Sequence, residues 1–396
     1  MLDEMSPQED LPAIDAVEVP PEGVSSAAIR AAVAEVFQIE SEEYHPRPGM
    51  TAIFTGTLLM DSEQAYDLLD TRLKLYGQLP LFRERDDGQV IQVVAGRFDP
   101  RPRPWWPNAV LLVLTILSLL YTGAGIALGE ALIGDPNRQL RELWRGWPYA
   151  LSLVLILGAH ELGHYFAARR HKIPVTLPYF IPLPFGFFGT LGAFIQLRAP
   201  IRNRKMLLDV GAAGPLAGMV FAVPILLLGL ATAEVQRLPT DHAFILEGNS
   251  LLYAMAKTVT FGRFLPDGRV DVLLNQLAQA GWTGLFVTGL NLIPVGQLDG
   301  GHVVYTLFGD RARRLYLPAV LMMAALALTV SDAWFLWVAL LLVFGRAYAT
   351  PLDMLTPLDN RRRLIAIVAL IVFVLVFVPN PLQIVEPVPS GPVNRF

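Results

Sequence analysis

AHELGHYFAARRHK, residues Ala159 to Lys172, follows ten residues that are almost wholly apolar, YALSLVLILG (Tyr149–Gly158). Two histidines four apart, with a glutamate after the first, therefore stand inside what reads as a membrane-spanning helix. The surrounding composition supports that reading. Of 396 residues, 53% are hydrophobic and only 17% charged, less charge than a soluble domain carries. Several apolar runs approach or exceed the roughly 18–20 residues that cross a bilayer. The expected fold is a polytopic α-helical membrane protein of about six to seven spans, with a re-entrant hairpin and a small N-terminal α+β soluble domain. There is no cysteine, so disulfides and thiolate metal sites are excluded and a metal must take nitrogen or oxygen ligands.

Charge divides the chain. Residues 1–105 hold 9 Lys/Arg and 19 Asp/Glu (net −10), and the remainder holds 22 and 16 (net +6). An acidic soluble part precedes a basic membrane part, and nothing points to nucleic acid. No basic n-region followed by an apolar core opens the sequence, so no cleavable signal peptide is read. Residues 1–44 read as a disordered acidic tail (to about residue 25) and a short helix from Ser26 to Phe37. Residues 45–100 read as one α+β domain, β-α-β-β. Its elements are the strand-like MTAIFTGTLL (Met50–Leu59), a helix over Ser62–Tyr76 capped by Asp61 or Ser62, and QLPLFRE and QVIQVVAG around a turn at Asp86-Asp87-Gly88. RPRPWWP (Arg101–Pro107) is a stiff linker whose Trp105 and Trp106 suit the membrane interface.

The membrane domain is expected over 107–380, with candidate spans at 107–128, 148–168, 207–230, 283–308, 315–330, 333–347 and 364–379, and a tail over 381–396. Residues 174–200 are apolar but broken by Pro174, Pro178, Pro182, Pro184 and several glycines. Lipid does not accept open backbone of that kind, so a re-entrant loop or hairpin packed on protein is expected there. Lys and Arg near span ends set orientation. Five clusters share one side if the N-terminal domain is cytoplasmic: Arg101/Arg103, Arg169/Arg170/Lys172, Arg202/Arg204/Lys205, Arg311/Arg313/Arg314 and Arg361/Arg362/Arg363. Arg138, Arg141 and Arg145 are the exception. An inner or plasma membrane, with the N-terminal domain in the cytoplasm, is the expected location.

His160 and His164 share one helix face. That spacing suits two imidazoles on one Zn²⁺, with Glu161 as general base. On a soluble helix such a five-residue match is coincidence about as often as not. Here each ionisable group at mid-membrane costs at least about 2.5–3.5 kcal/mol on insertion scales, and a metal compensates three on one turn. A catalytic zinc needs a third protein ligand and an open position. Asp299, in GLNLIPVGQLDGGHVVYTLF, lies about ten residues before the Arg311 cluster, at a depth similar to His164 before Arg169. It is the expected third ligand. His302 is the rival, and reads better as a histidine beside the site. Pro294 breaks the helix and frees a carbonyl. Asn291 either holds substrate backbone or bridges helices. His171 reads as solvated and Asp209 as interfacial.

These motifs resemble the site-2 protease (M50) family of intramembrane zinc metalloproteases. The resemblance rests on HELGH (His160–His164) and NLIPVGQLDGG (Asn291–Gly301), with GTLG (Gly189–Gly192) and GPLAG (Gly214–Gly218) in support. It covers about 150–305, within a catalytic core expected over about 148–308. It implies that His160, His164 and Asp299 bind one Zn²⁺, that Glu161 activates water, and that Asn291 lies near the cleaved peptide. The segment with Gly189 and Gly192 would dock an unwound substrate by strand-edge pairing. No PDZ-like insert separates the catalytic spans, so the chain is similar to the branch with an N-terminal α+β domain. The implied activity is peptide-bond hydrolysis in or near transmembrane helices, with membrane proteins as substrates and lipid as surroundings. A metal transporter and a non-cleaving helix-binding scaffold are the alternatives.

Overall fold

The structure is a computed structural model that describes residues 25–85, 88–129, 135–184, 186–239 and 244–385. Apart from their end positions, the acidic tail read from 1–25 and the turn at Asp86-Asp87-Gly88 lie outside the described residues. The N-terminal domain comprises α1 (Ser26–Ala34), β1 (Phe37–Tyr44), β2 (Met50–Leu58), α2 (Ser62–Lys74), β3 (Gln78–Arg85) and β4 (Gly88–Ala95). The sheet has the order β1-β2-β4-β3, and every neighbouring pair is antiparallel. Asp61 caps α2 by accepting from the amides of Glu63 and Gln64, satisfying two donors that a helix start leaves free. Ala65, Tyr66, Leu69 and Leu73 recur at helical spacing and are buried, against Phe54, Phe82 and Ile91 of the sheet.

The β-α-β-β unit lies within 45–100, but the sheet begins upstream of residue 45. β1, FQIESEEY, pairs with β2 from Phe37↔Leu58 to Tyr44↔Ala52. It is an edge strand with most of its side chains exposed. Its glutamates hide the apolar alternation by which a strand is recognised, and charge on an exposed edge discourages pairing with other chains.

The membrane domain follows: α3 (Trp106–Leu128), α4 (Pro136–Arg141), α5 (Trp147–Arg170), β5 (Tyr179–Pro182), β6 (Thr190–Phe194) and α6 (Arg204–Ala231). β7 (Glu234–Arg237), β8 (Phe244–Glu247), α7 (Leu251–Phe261), β9 (Val270–Leu273) and α8 (Gln276–Asn291) come next. The chain continues through α9 (Asp299–Phe308), α10 (Tyr316–Thr329), α11 (Trp334–Phe344), α12 (Asn360–Val376) and β10 (Leu382–Val385). Among the described residues four helical stretches are long and apolar enough to cross a membrane: Trp106–Leu128, Leu143–Arg170, Arg204–Ala231 and Asp299–Thr329. The tail read from 381 is in part a strand, since β10 pairs with β8.

The span expected over 283–308 is two helices, α8 and α9, with irregular chain between them. Pro294 interrupts the ladder, and the chain doubles back so tightly that only glycine fits. Gly296 has φ +64° and its Cα side meets the backbone of Gly345, while a Cβ on Gly300 or Gly301 would strike the backbone of Leu292, Val295 or Gly296. This places Asp299 in the first turn of α9, where the helix dipole favours a carboxylate.

Between α5 and α6, β5 and β6 form an antiparallel hairpin. The chain that enters β6 is anchored in protein. Phe188 stacks on Trp282 (centroids 6.2 Å, 15°) and Trp282 on Phe286 (5.6 Å, 7°). Tyr149 Oη donates to the Phe188 carbonyl (2.9 Å) and Ser118 Oγ to that of Gly189 (2.6 Å).

The N-terminal domain is pinned to the membrane domain by chain from far downstream. Phe82 in β3 donates its amide to Leu352 O and accepts from Met354 N (2.9 and 3.0 Å). The same segment donates from Leu352 to Ile201 O (3.0 Å) and from Asp353 to Arg202 O (2.6 Å). Glu63 takes Lys205 Nζ (2.8 Å), and Arg202 pairs with Asp67. The start of α6 is thus held by α2 and by residues 351–356 together.

Candidate metal centre

α5 carries HELGH in its last three turns. His160, Glu161 and His164 are all buried there, and the two imidazole centroids lie 4.9 Å apart. α6 crosses behind them through glycine. A Cβ on Gly163 would strike the Ala213 backbone, one on Gly214 would strike the His164 ring, and one on Gly218 would reach His160 Nδ1 at 3.3 Å. Bare helix faces let the two backbones approach closely.

α9 brings Asp299 to this face of α5. Its Oδ2 lies 3.2 Å from His160 Nε2 and 3.3 Å from His164 Nε2. One ligand atom from each of the three residues falls within 4.8 Å of the others, and this is the group of its kind found among the described residues. Tetrahedral ligands at about 2.0–2.1 Å from zinc stand about 3.3 Å apart, so the separations to the carboxylate match the edges of such a polyhedron. The imidazole tautomer agrees. His164 Nδ1 lies 2.7 Å from Val210 O, a contact that requires an N–H there and leaves Nε2 as the free lone pair. Two imidazoles and one carboxylate form a donor set suited to zinc, which leaves a fourth position open.

Glu161 Oε1 lies 4.0 Å from His160 Nε2, and Asn291 Nδ2 lies 3.3 Å from the same nitrogen. These groups line a cavity of about 220 Å³ with Ala193, Phe194 and Ile195 of the hairpin on one wall and His302 on another. His302 borders the cavity without joining the ligand group, and its Nδ1 has no partner. Gly189 does not reach the cavity. It sits at φ +73° against Thr122 and Leu119 of α3, where the hairpin turns. Gly192 lies on β6 one residue before the cavity wall, and its amide is taken up by Thr190 Oγ1 (3.0 Å). The hairpin residues that line the cavity are therefore the run just after GTLG.

Two residues read as peripheral are not free. His171 Nε2 lies 2.9 Å from Asp209 Oδ2, and Asp209 also receives Arg362 through Nε (2.8 Å) and Nη2 (2.6 Å). Both are partly buried. Val210 could not be read as a site residue, because its contribution is a carbonyl and any side chain supplies one.

Comparison with known proteins agrees with these features. Residues 148–331 match the family model described as Peptidase family M50. Arabidopsis thaliana "Probable zinc metalloprotease EGY2, chloroplastic" is 30% identical over 362 residues, 88% of this chain and 63% of that protein. The rice (Oryza sativa subsp. indica) protein of the same name is 30% identical over 341 residues, 83% of this chain and 61% of its own. Arabidopsis "Probable zinc metalloprotease EGY1, chloroplastic" is 28% identical over 323 residues, 75% and 58%. The chain spans less than two thirds of the length of these relatives. The resemblance read from the two motifs is thus met both by the family model and by relatives similar over three quarters or more of this chain.

Proposed function

We propose that this chain, whose residues 148–331 match Peptidase family M50, is an intramembrane zinc metalloprotease that hydrolyses peptide bonds in or near transmembrane helices of membrane-protein substrates. The observation that carries the proposal is the convergence of His160 Nε2, His164 Nε2 and Asp299 Oδ2 within a cavity that Glu161 also lines. His160, His164 and Asp299 would hold one Zn²⁺. When bound, zinc supplies Lewis acidity that polarises a peptide carbonyl and makes water acidic enough to deprotonate near neutral pH. Glu161 then accepts the proton of the attacking water and delivers it to the departing amine. Asn291, beside His160 Nε2, donates its amide N–H toward the scissile carbonyl. Val210 O keeps His164 in the tautomer that presents Nε2.

The re-entrant reading of 174–200 and the count of six to seven spans belong to the same proposal. Apolar α10, α11 and α12, the hairpin held at Phe188 and Gly189 by α3, α5 and α8, and the break between α8 and α9 support it. An extended substrate would lie along β6 and the residues after it, with Gly192 giving the strand room. Backbone pairing there replaces the hydrogen bonds that lipid cannot supply. Gly189 would contribute by setting the turn. The five Lys/Arg clusters favour a cytoplasmic N-terminal domain in an inner or plasma membrane. Transport would require a succession of ligand groups along a path, whereas one three-ligand group is found among the described residues.

The test is Glu161→Gln in the full chain, co-expressed with a single-span membrane protein that the wild type cleaves. The expected result is loss of cleavage with metal content unchanged. Undiminished cleavage would remove Glu161 from its role, and a wild type without metal would end the zinc reading.

A further inference from the structure

We propose that Asp209 is a positioning residue for the metal centre, setting the register of α6 against α5 so that Val210 O meets His164 Nδ1; the proposal rests on the metalloprotease reading of the site. Asp209 precedes Val210 on α6. Its carboxylate receives Arg362 of α12 in a two-pronged contact, Nε at 2.8 Å and Nη2 at 2.6 Å. It also meets Nε2 of His171, the C-cap residue of α5, at 2.9 Å. One side chain therefore ties three helices together one residue from the bond that orients a ligand. Arg362 is itself fixed at the start of α12: its amide donates to Asp359 Oδ1 (3.0 Å) and its Nη1 to Asp359 Oδ2 (2.5 Å).

The need for such a tie follows from how α5 and α6 touch. Their contact beside the ligands runs through Gly163, Gly214 and Gly218. Glycine faces allow close approach, but they offer no side chains that interlock to resist sliding along the helix axis. A 2.7 Å hydrogen bond is lost within less than an ångström of such a slide. The polar contacts of Asp209 lie at the α6 end of this crossing, where they resist such a slide alongside the ties from α2 and residues 351–356. A partly exposed ion pair adds little to overall stability, whereas a guanidinium bound through two nitrogens adds geometric definition.

The test uses the purified full chain and follows retention of bound Zn²⁺ against a chelator, the absorption spectrum of the Co²⁺-substituted protein, and thermal unfolding of the metal-free form. Asp209→Asn and Arg362→Ala are each expected to speed metal loss about tenfold, the lower end of what changes behind a ligand cost. Both should perturb the Co²⁺ spectrum and leave the unfolding midpoint of the metal-free form nearly unchanged. The double variant should be no worse than Asp209→Asn alone, because that change already removes the contact with Arg362. Arg362→Lys, which keeps the charge and loses the second prong, should fall between. Metal retention and spectra within twofold of wild type in Asp209→Asn and Arg362→Ala would overturn the positioning role while leaving the protease reading intact. A fall in unfolding midpoint with metal retention unchanged would also overturn it, by reducing the contact to scaffolding. A wild type that holds no metal defeats the underlying reading and this inference with it.

Discussion

Gly214 of α6 lies flat against the imidazole of His164: a Cβ at residue 214 would fall well inside 3 Å of the ring atoms, Nε2 among them. The helix is bare where the proposed metal ligand needs room. Gly214→Ala should therefore displace His164 Nε2 from Asp299 and abolish metal binding, with fold and expression largely kept. Gly218→Ala, whose added carbon would stand 3.3 Å from His160, should weaken binding only severalfold. Metal content of the two purified variants checks this, and equal content in both would show that the ring adjusts freely.

Asn291→Ala probes the other side of His160. If its amide serves the scissile carbonyl, the variant should keep its zinc and lose about 10²–10³-fold in kcat/KM, the range seen when one oxyanion donor is removed. Metal loss with intact turnover per bound ion would instead make Asn291 a bridge between helices.

A pH effect is expected far from the site. Glu247 of β8 is buried and accepts from Tyr253 Oη (2.8 Å); burial pushes its carboxyl up to about 7 from 4.5, with Lys257 opposing and Asp271 reinforcing. The folded chain then holds a proton that the unfolded chain has lost between about pH 4.5 and 7. Stability from this group therefore falls as pH rises across that window. Glu247→Gln, which mimics the protonated carboxyl, should flatten the slope and raise the unfolding midpoint at pH 8. Unfolding midpoints from pH 4.5 to 8 for both proteins are the measurement.

Docking of the N-terminal domain depends on Asp353. This fully buried carboxylate accepts from the amides of Leu355 (2.9 Å) and Thr356 (3.1 Å) and from the Thr356 hydroxyl. Asp353→Ala leaves the two amides without partners, the Thr356 hydroxyl keeping Ser62 Oγ (2.9 Å), and should cost about 1–3 kcal/mol. It should also speed proteolysis in the linker around 101–105. Asp353→Asn, which keeps an acceptor, should recover most of both. Glu63→Ala, which loses Lys205 and Asn203, should act in the same direction more weakly.

What the sequence disclosed follows from what leaves a periodic or chemical trace. The i, i+4 histidines inside an apolar run located α5 and its polar face, and the depth of Asp299 relative to the arginines pointed to the carboxylate that joins them. Proline and glycine in 174–200 marked a hairpin. Other features left no such trace. β1 is written in glutamates because its face is wet. The break before α9 was visible as Pro294, yet the apolar count on both sides read as one span. Val210 acts through its backbone. His171 looked solvated and Asp209 interfacial because their partners are remote in sequence: they meet each other across 38 positions, and Arg362, which also holds Asp209, lies 153 residues downstream of it. Long-range polar contacts of this kind are recorded in the fold and not in local composition.

The strand-like segment that clasps Phe82 has a consequence for biogenesis. Arg83 and the Leu352 carbonyl it caps are separated by 269 positions. At about 5–20 residues per second on the ribosome, the α+β domain waits some tens of seconds for its seat to be synthesised. It must stay folded, with the outer edge of β3 uncovered, while the chain from α3 to α11 is made. Closure of that edge marks the completion of the chain through residue 354, so an aborted translation product would carry an unsealed sheet for quality-control machinery to recognise.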